Sequence, residues 1–527
     1  MITDERQLAA AAAALLSPGT RLTRAERSLV PRSVTIPEKA LAALRKKIRA
    51  GEDPLGDAFS QIRAPEIRRE QGATYTPKAI VDAMIGWAAD HTATPVRVVD
   101  PGAGSGRFML AAGKAFPEAA LVAVDVDPLA TLMLRANAAV LKLDRRLTVE
   151  LADFRALELP EVDGPTLFIG NPPYVRHHDI APAWKAWLGQ AASELGFTAS
   201  GLAGLHIHFF VRTRQIARPG DFGAYITAAE WMDVNYGSVL RRMLADGLGG
   251  TAVHVIDPKA RPFADAFTTG AITCFHVGNR PEQLTIRTVD SLDQLAPLTT
   301  GQGVEWSSLE SAPRWSIHVR QSRRPQQGEI ELGELFRVHR GQVTGGNAVW
   351  IAGPEAAKLP NRFLLPCITK ARELIAAGEA LSDPAQLRRV IDLPVDLDTL
   401  TLAERRAVDA FLKWARTMDA DKSFIASHRK AWWSVGLRRP APILCTYMAR
   451  RAPAFVRNHA GARHINVAHG LYPIEPLSEA ALDAIARHLS ATACMSAGRT
   501  YAGGLVKFEP GEVSRLHIPE PSAIATA

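Results

Sequence analysis

The sequence predicts an α/β architecture: a doubly wound, mostly parallel, seven-stranded sheet, with a helical N-terminal extension before it and a C-terminal domain of mixed α+β character after it. Two observations carry this. Between residues 66 and 300, short apolar runs alternate with helix-length segments, the rhythm of βαβ crossovers. Beyond about 300 that rhythm stops, and helical stretches mix with loop-rich basic sequence. The expected domains are therefore 1–65, 66–300 and 301–527.

Taken in order, the extension holds alanine-rich and mixed-charge helical stretches such as PEKALAALRKKIRA, punctuated by Pro31, Pro37 and Pro54. The runs at 96–100, 121–127, 147–153, 166–171, 223–229, 252–257 and 271–277 read as strands. GRFMLAAGKAF, PLATLMLRANAAVLKL and HIHFFVRTRQIA read as the helices between them, and LAERRAVDAFLKWARTMD as a helix of the C-terminal domain. Composition limits the class: 47% hydrophobic and 22% charged residues suit a globular protein, and no run approaches the roughly 20 apolar residues of a membrane span. MITDERQLAAAAAALL begins with acids and lacks a basic stretch, so no secretory signal is expected. Cys274, Cys367, Cys445 and Cys494 are too far apart for a CxxC pair or a disulfide framework, which fits a reducing, cytoplasmic setting. A net charge of +8 suits a polyanionic partner.

Chemistry gathers at strand ends, where ligands of doubly wound sheets sit. VVDPGAGSGRFMLAA places Asp100 at the end of one strand, followed by Gly102, Gly104 and Gly106 and then a helix. Such a loop admits a ligand close to the backbone, because glycine has no side chain to clash. Asp125, at the end of the next strand, is placed to accept both hydroxyl hydrogens of a ribose, and Asp153, after the third, to receive an adenine amino group. Together they outline an adenosine-shaped site. No GK[ST] follows the glycines, which disfavours a triphosphate, and their strict alternation is not the dinucleotide spacing. The fourth strand ends in Gly170, Asn171, Pro172, Pro173 and Tyr174, where two prolines stop any ladder and leave an amide, a fixed carbonyl and a ring at the mouth of the sheet.

The charge is concentrated late. From Lys422 to Ile474 there are nine Lys or Arg and not one Asp or Glu, with Trp432, Trp433 and Tyr447 interleaved. That pattern favours nucleic-acid contact over a merely solvated face, with Arg429, Lys430, Arg438, Arg439, Arg450 and Arg451 as the candidate contacts. His206 and His208 lie two apart on a predicted helix, hence on different faces, and no metal site is expected there. Cys367 follows a proline but lies far downstream of the sheet and reads as a buried structural cysteine. Asp179 and His177, beyond the prolines, either line a groove or face solvent.

DPGAGSG, VAVDVDP, LADF and NPPY, in that order, resemble the S-adenosylmethionine-dependent amino-methyltransferases. GATYTPKAIVDAMIGWA upstream of them is similar to the segment that precedes the glycine loop in N6-adenine DNA methyltransferases. The order of TP segment, glycine loop, NPPY and C-terminal recognition domain resembles the gamma class of restriction-modification enzymes. Stretches 335–353, 429–458 and 500–521 are similar to parts of its target-recognition domain.

The resemblance implies S-adenosylmethionine as cofactor, double-stranded DNA as substrate, a monomer, and functional pairing with a separate restriction endonuclease. It implies that Thr76 contacts the cofactor carboxylate, with Tyr75 and Pro77 beside it, and that Asp100, Gly102 and Gly104 hold the methionine moiety. Asp125 then takes the ribose, Asp153 the adenine amine, and Phe154 or Pro172 packs on the ring. Asn171 and the Pro172 carbonyl hold the target amine, Tyr174 stacks on a flipped base, and Phe267, favoured over Phe263, supplies a second stacking ring. N4-cytosine methylation uses the same geometry and stays open. RNA and protein-glutamine NPPY enzymes need no large basic domain after the sheet. About 65 residues before the TP segment are too few for a fused nuclease, and a non-catalytic DNA-binding protein would have no need of Asp100, Asn171 and Tyr174.

Overall fold

The computed structural model describes residues 2–63, 76–257, 260, 269–312, 314–319, 328–495, 498–501 and 505–520. Tyr75, Phe263 and Phe267 lie outside the described residues. Among those described, 2–319 form one compact unit and 328–520 a second.

The first unit opens with four helices, α1 (Glu5–Ala14), α2 (Arg24–Leu29), α3 (Glu38–Arg49) and α4 (Pro54–Ile62). Its sheet comprises β1 (Arg97–Asp100), β2 (Ala120–Asp125), β3 (Leu147–Leu151), β4 (Thr166–Gly170), β5 (Phe222–Ala228), β6 (Gly250–Ile256), β7 (Gly270–His276), β8 (Gln283–Val289) and β9 (Gln302–Glu305). They are ordered β3-β2-β1-β4-β5-β7-β6-β8-β9. The first five pair in parallel, β7 runs antiparallel between β5 and β6, β8 is parallel to β6, and β9 is antiparallel to β8. All seven expected strands are present, but the sheet has nine. The two additions, β8 and the edge strand β9, escape sequence reading because their apolar residues alternate with polar ones: QLTIRTV buries Leu284, Ile286 and Val289 and leaves Gln283 exposed, a weaker signal than the fully buried runs of β4 and β5.

Five crossover helices and one shared helix cover the sheet. On one face α5 (Lys78–Ala89) and α6 (Arg107–Ala115) bury Met84, Phe108 and Met109 against Val98, Leu167 and Ile226. On the other, α8 (Pro182–Glu194), α9 (Leu205–Ile216) and α10 (Ser238–Ala245) bury Leu188, Ile207, Phe210 and Met243. The helix between β2 and β3, α7 (Pro128–Val140), is apolar on every side. It gives Leu134 and Ala138 to the sheet core, and Leu129, Leu132, Met133 and Ala136 to a separate cluster with Leu8, Ile48, Leu55 and Phe59 of the N-terminal helices. The extension is thus packed into the first unit.

The second unit is α+β. A five-stranded, mainly antiparallel sheet runs in the order Phe336–Arg340, Ala468–Pro473, Ile443–Thr446, Phe455–Asn458, Ala380–Leu381. Helix Glu479–Thr492 packs Leu482, Ile485 and Leu489 on Phe336, Ile443, Phe455 and Leu471. Helix Leu402–Thr417 lies in another cluster with Trp350 and Phe363.

Candidate active site

The parallel strands deliver their carboxyl ends to one edge, and a cleft of about 420 Å³ opens there. Thr76, Gly102, Gly104, Asp125, Asp153, Phe154 and Asn171 all line it, so residues spread over nearly a hundred positions of sequence meet in one place. The glycine loop is held from below. Asp125 Oδ2 accepts the Gly104 amide at 2.8 Å, and the Ala103 amide donates to the Val124 carbonyl at 2.9 Å. Gly104 and Gly106 sit at φ +54° and +98°, where a side chain strains the backbone, and a Cβ on Gly106 would come within 3.0 Å of Leu134.

Asp100 lies beneath this loop and is buried. Its Oδ1 accepts the Gly102 amide at 3.2 Å, while Oδ2 has no hydrogen-bond partner among the described residues. Burial, with the nearby Asp125 charge, pushes its carboxyl up to about 8. Gly170 makes room for it: a Cβ there would stand 2.5 Å from Asp100 Oδ1. Asp125 is pushed up to about 6 by burial, against the opposing amides of Asp127 and Gly104. Asp153 differs. Burial raises it too, but the hydrogen bonds and charge of Arg155 outweigh that and hold it below the ordinary carboxylate range. Arg155 donates Nε to Oδ1 at 2.9 Å and Nη2 to Oδ2 at 2.6 Å, and its guanidinium lies 3.7 Å from the centre of the Trp184 ring.

At the end of β4 the Asn171 amide is oriented by its own nitrogen, because Nδ2 donates to Thr76 Oγ1 at 3.0 Å. Pro172 is buried and Tyr174 half-buried, packed beside the sheet core with its hydroxyl 3.5 Å from the Ile226 carbonyl of β5. Asp179 is on the cleft wall, and His177, outside it, lies against His178 with the two rings tilted.

Several wall residues carried no sequence signal. Phe59 arrives from α4, Trp184 from α8 and Phe209 from α9, where its ring lies 5.2 Å from that of Phe154. Val126 remains 60% exposed between two acids, an apolar surface facing the cleft.

The basic stretch of the second unit is divided by burial. Lys430, Arg438, Arg439, Arg450 and Arg451 are exposed. Arg429 is half-buried and donates Nη2 to the Val343 carbonyl at 2.6 Å. Arg457, 4% exposed, is paired with Glu479 and Asp483 of the helix packed on its sheet. The interleaved aromatic residues pack within the unit. Trp432 and Trp433 pack in the cluster around Trp350, Trp433 Nε1 donates to the Pro394 carbonyl, and Tyr447 is buried with its hydroxyl on Glu509. Cys367 is buried with its thiol pushed up by burial, and His206 and His208 are both buried on α9. Among the described residues no cluster of His, Cys, Asp and Glu could hold a metal, and no helix is long and apolar enough to cross a membrane.

Residues 317–527 match the family model for the C-terminal domain of the type II methyltransferase M.Eco57I, and residues 152–256 that of the Eco57I restriction-modification methylases. The chain is 52% identical over 528 aligned residues, 98% of each chain, to the type II methyltransferase M.XamI of Xanthomonas campestris pv. amaranthicola. It is 24% identical, over 87% of each chain, to the type II methyltransferase M.AccI of Acinetobacter calcoaceticus. Among solved structures, the type IIG restriction endonuclease BpuSI aligns over 92% of this chain and 63% of its own, with 16% identity and a TM-score of 0.47.

Proposed function

Because this chain belongs to the type II DNA methyltransferases of restriction-modification systems, we propose that it methylates N6 of an adenine flipped out of a specific double-stranded DNA sequence, with S-adenosylmethionine as donor. The observation that carries the reading is the Asn171 amide at the cleft wall. Its nitrogen is committed to Thr76, which gives Oδ1 the acceptor's role toward a substrate amine.

The cleft suits the donor. Asp125 keeps a lone pair on each oxygen beyond the Gly104 and Asp127 amides, enough for two ribose hydroxyls. Asp153 Oδ2, with one bond from Arg155, has room for an adenine amino hydrogen, and Val126 and Phe154 offer apolar surface to the ring. The orphaned, buried Asp100 Oδ2 calls for a donor, which an ammonium at the amino-acid end supplies directly or through water.

Bound there, S-adenosylmethionine provides an electrophilic sulfonium methyl. The protein's part is positioning and hydrogen-bond electrostatics. The lone pair of an exocyclic adenine amine is delocalised into the ring, so the nitrogen is a poor nucleophile. Asn171 Oδ1 and the Pro172 carbonyl accept its two hydrogens out of the ring plane and draw the nitrogen toward a tetrahedral shape, which frees the lone pair. Proline fixes where that carbonyl points. Tyr174, tethered toward β5 through its hydroxyl, presents its ring as the stacking face for the flipped base.

The exposed Lys430, Arg438, Arg439, Arg450 and Arg451 hold duplex phosphates or base edges, and methylation protects host DNA from a cognate nuclease. Incubation with tritiated S-adenosylmethionine and duplex DNA, followed by digestion to nucleosides, tests the reading. Label in N6-methyl-2′-deoxyadenosine is expected. Label in N4-methylcytosine, or in protein alone, overturns it.

A further inference from the structure

The N-terminal helices do more than cover α7. We propose that Asp53, at the start of α4, is a positioning residue for the transfer site: it braces the glycine loop and, through Arg107 and Thr76, sets the orientation of the Asn171 amide. This rests on the reading of Asn171 given above.

Asp53 is 9% exposed and receives four hydrogen bonds. One, from the Gly56 amide at 2.9 Å, is the ordinary N-cap of α4. Capping requires no other, yet three more arrive from the sheet domain. Ser105 Oγ donates at 2.5 Å, Arg107 Nε at 2.8 Å and Asn137 Nδ2 at 3.2 Å. Ser105 is fully buried between Gly104 and Gly106, and its carbonyl also accepts from Asn137 at 3.0 Å. Asp53 therefore grips the loop at one residue and the helix leaving it at the next turn.

Arg107 passes the constraint on. Its Nη1 donates to the Thr76 carbonyl at 3.0 Å and its Nη2 to Asp57 at 2.6 Å, so the guanidinium plane is fixed by α4 on two sides and fixes the Thr76 peptide on the third. Thr76 Oγ1 in turn accepts Asn171 Nδ2. Four side chains thus connect a helix outside the sheet domain to the amide at the cleft wall. Packing the extension on α7 accounts for Leu55 and Phe59, but not for a buried carboxylate facing the glycine loop. Residue 56 is fitted to the same purpose: a Cβ there would stand 2.0 Å from Asp53 Oδ2 and 2.6 Å from Ser105 Oγ, so only glycine leaves the carboxylate its place.

The test uses the full chain with Asp53→Asn, Arg107→Gln, the double variant, and Gly56→Ala. Asparagine is as good an N-cap as aspartate, so loss of the cap does not confuse the result. Alanine is a better helix former than glycine, so Gly56→Ala displaces the carboxylate, its cap included, while raising the helix propensity of α4, and Asp53→Asn is the variant that separates the brace from the cap. Two quantities are read: affinity for S-adenosylhomocysteine by calorimetry, and the single-turnover methylation rate on unmethylated duplex DNA at saturating cofactor. Asp53→Asn should weaken S-adenosylhomocysteine roughly ten- to a hundred-fold and also slow the saturated single turnover; because its amide nitrogen faces two donors in place of an oxygen, the melting temperature should fall by a few degrees with the protein still folded at the assay temperature. Gly56→Ala should do the same. The double variant should be no worse than the poorer single variant, since both act through one chain of contacts. Additive losses, or an Asp53→Asn variant unchanged in both quantities, overturn the brace. The binding cycle is read without DNA, so a wild-type enzyme that labels a base other than adenine defeats the proposed function while the brace still stands or falls on its own cycle.

Discussion

The cleft of the first unit and the basic stretch of the second both gather polar groups, yet they use them differently. In the cleft each group is fixed by a neighbour: Asn171 by Thr76, Asp125 by two amides, Asp153 by Arg155. In the basic stretch the division is between residues. Arg457 is wholly committed to Glu479 and Asp483 inside the unit, whereas Arg438 and Arg439 face solvent. On the proposed reading, the cleft shares single side chains between scaffold and ligand, whereas the basic stretch gives Arg457 to the scaffold and leaves Arg438 and Arg439 to solvent.

The largest expected effect tests the cleft's half of that contrast. Asn171→Ala removes the acceptor and leaves the fold of the loop to Pro172 and Pro173. Single-turnover methyl transfer should fall about a thousand-fold, the scale of one lost electrostatic contact in a preorganised site. Affinity for S-adenosylhomocysteine should change less than about three-fold, because the adenosine and amino-acid contacts lie on other strands. An equal loss in both would show that Asn171 is part of the cofactor scaffold alone.

The second unit offers a sharper pair. Arg457→Ala strips two carboxylates and the Pro442 carbonyl of their partner, and should cost about 2–3 kcal/mol in denaturant unfolding. The slope of log affinity for DNA against log salt should not move. Arg438→Ala with Arg439→Ala should do the reverse: stability within about 0.5 kcal/mol of wild type, and a salt slope shallower by about 1.8 if each arginine meets one phosphate. A double variant with unchanged affinity and slope would reduce this face to solvated charge.

This contrast also explains what could be read from the sequence. The places of Asp100, Asp125, Asp153 and Asn171 were legible because each stands at or just after the carboxyl end of a parallel strand, and strand ends are visible as the close of apolar runs. Phe59 and Trp184 were not, since they reach the cleft from helices whose period says only which face is buried, and neither were Asp53, which caps a helix next to the glycine loop, and Arg155, in a short turn after Asp153. One signal was present: α7 is apolar on every side, so something had to cover the side turned from the sheet. In the basic stretch composition showed the excess of charge correctly, but burial alone separates Arg457 from Arg438, and it draws Trp432 and Tyr447 into cores. β8 and β9 were missed because half-buried strands lack a continuous apolar run.

The smallest effect concerns pH and again separates the two regions. Burial pushes Asp125 up to about 6 while Arg155 holds Asp153 low, so of these two acids it is Asp125, proposed to hold the ribose, that changes charge between pH 5 and pH 7. The fold favours its protonated form; that contribution to stability is complete below the unfolded value near 3.9 and is lost as pH rises through 6. Ligand binding has the opposite sign, because ribose hydroxyls donate to a carboxylate. 5′-Methylthioadenosine isolates the effect, since it has no ammonium to interact with Asp100. Its affinity should be level above about pH 7 and fall as pH drops through 6, approaching ten-fold per unit below that. Asp125→Asn should bind more weakly at pH 7 and show no such fall. Arginines remain charged throughout, so DNA affinity should not weaken over the same range. If 5′-methylthioadenosine binding is flat from pH 7 to pH 5 in the wild type, the ribose is not held by Asp125, and the cleft's division of each side chain between scaffold and ligand fails at that residue.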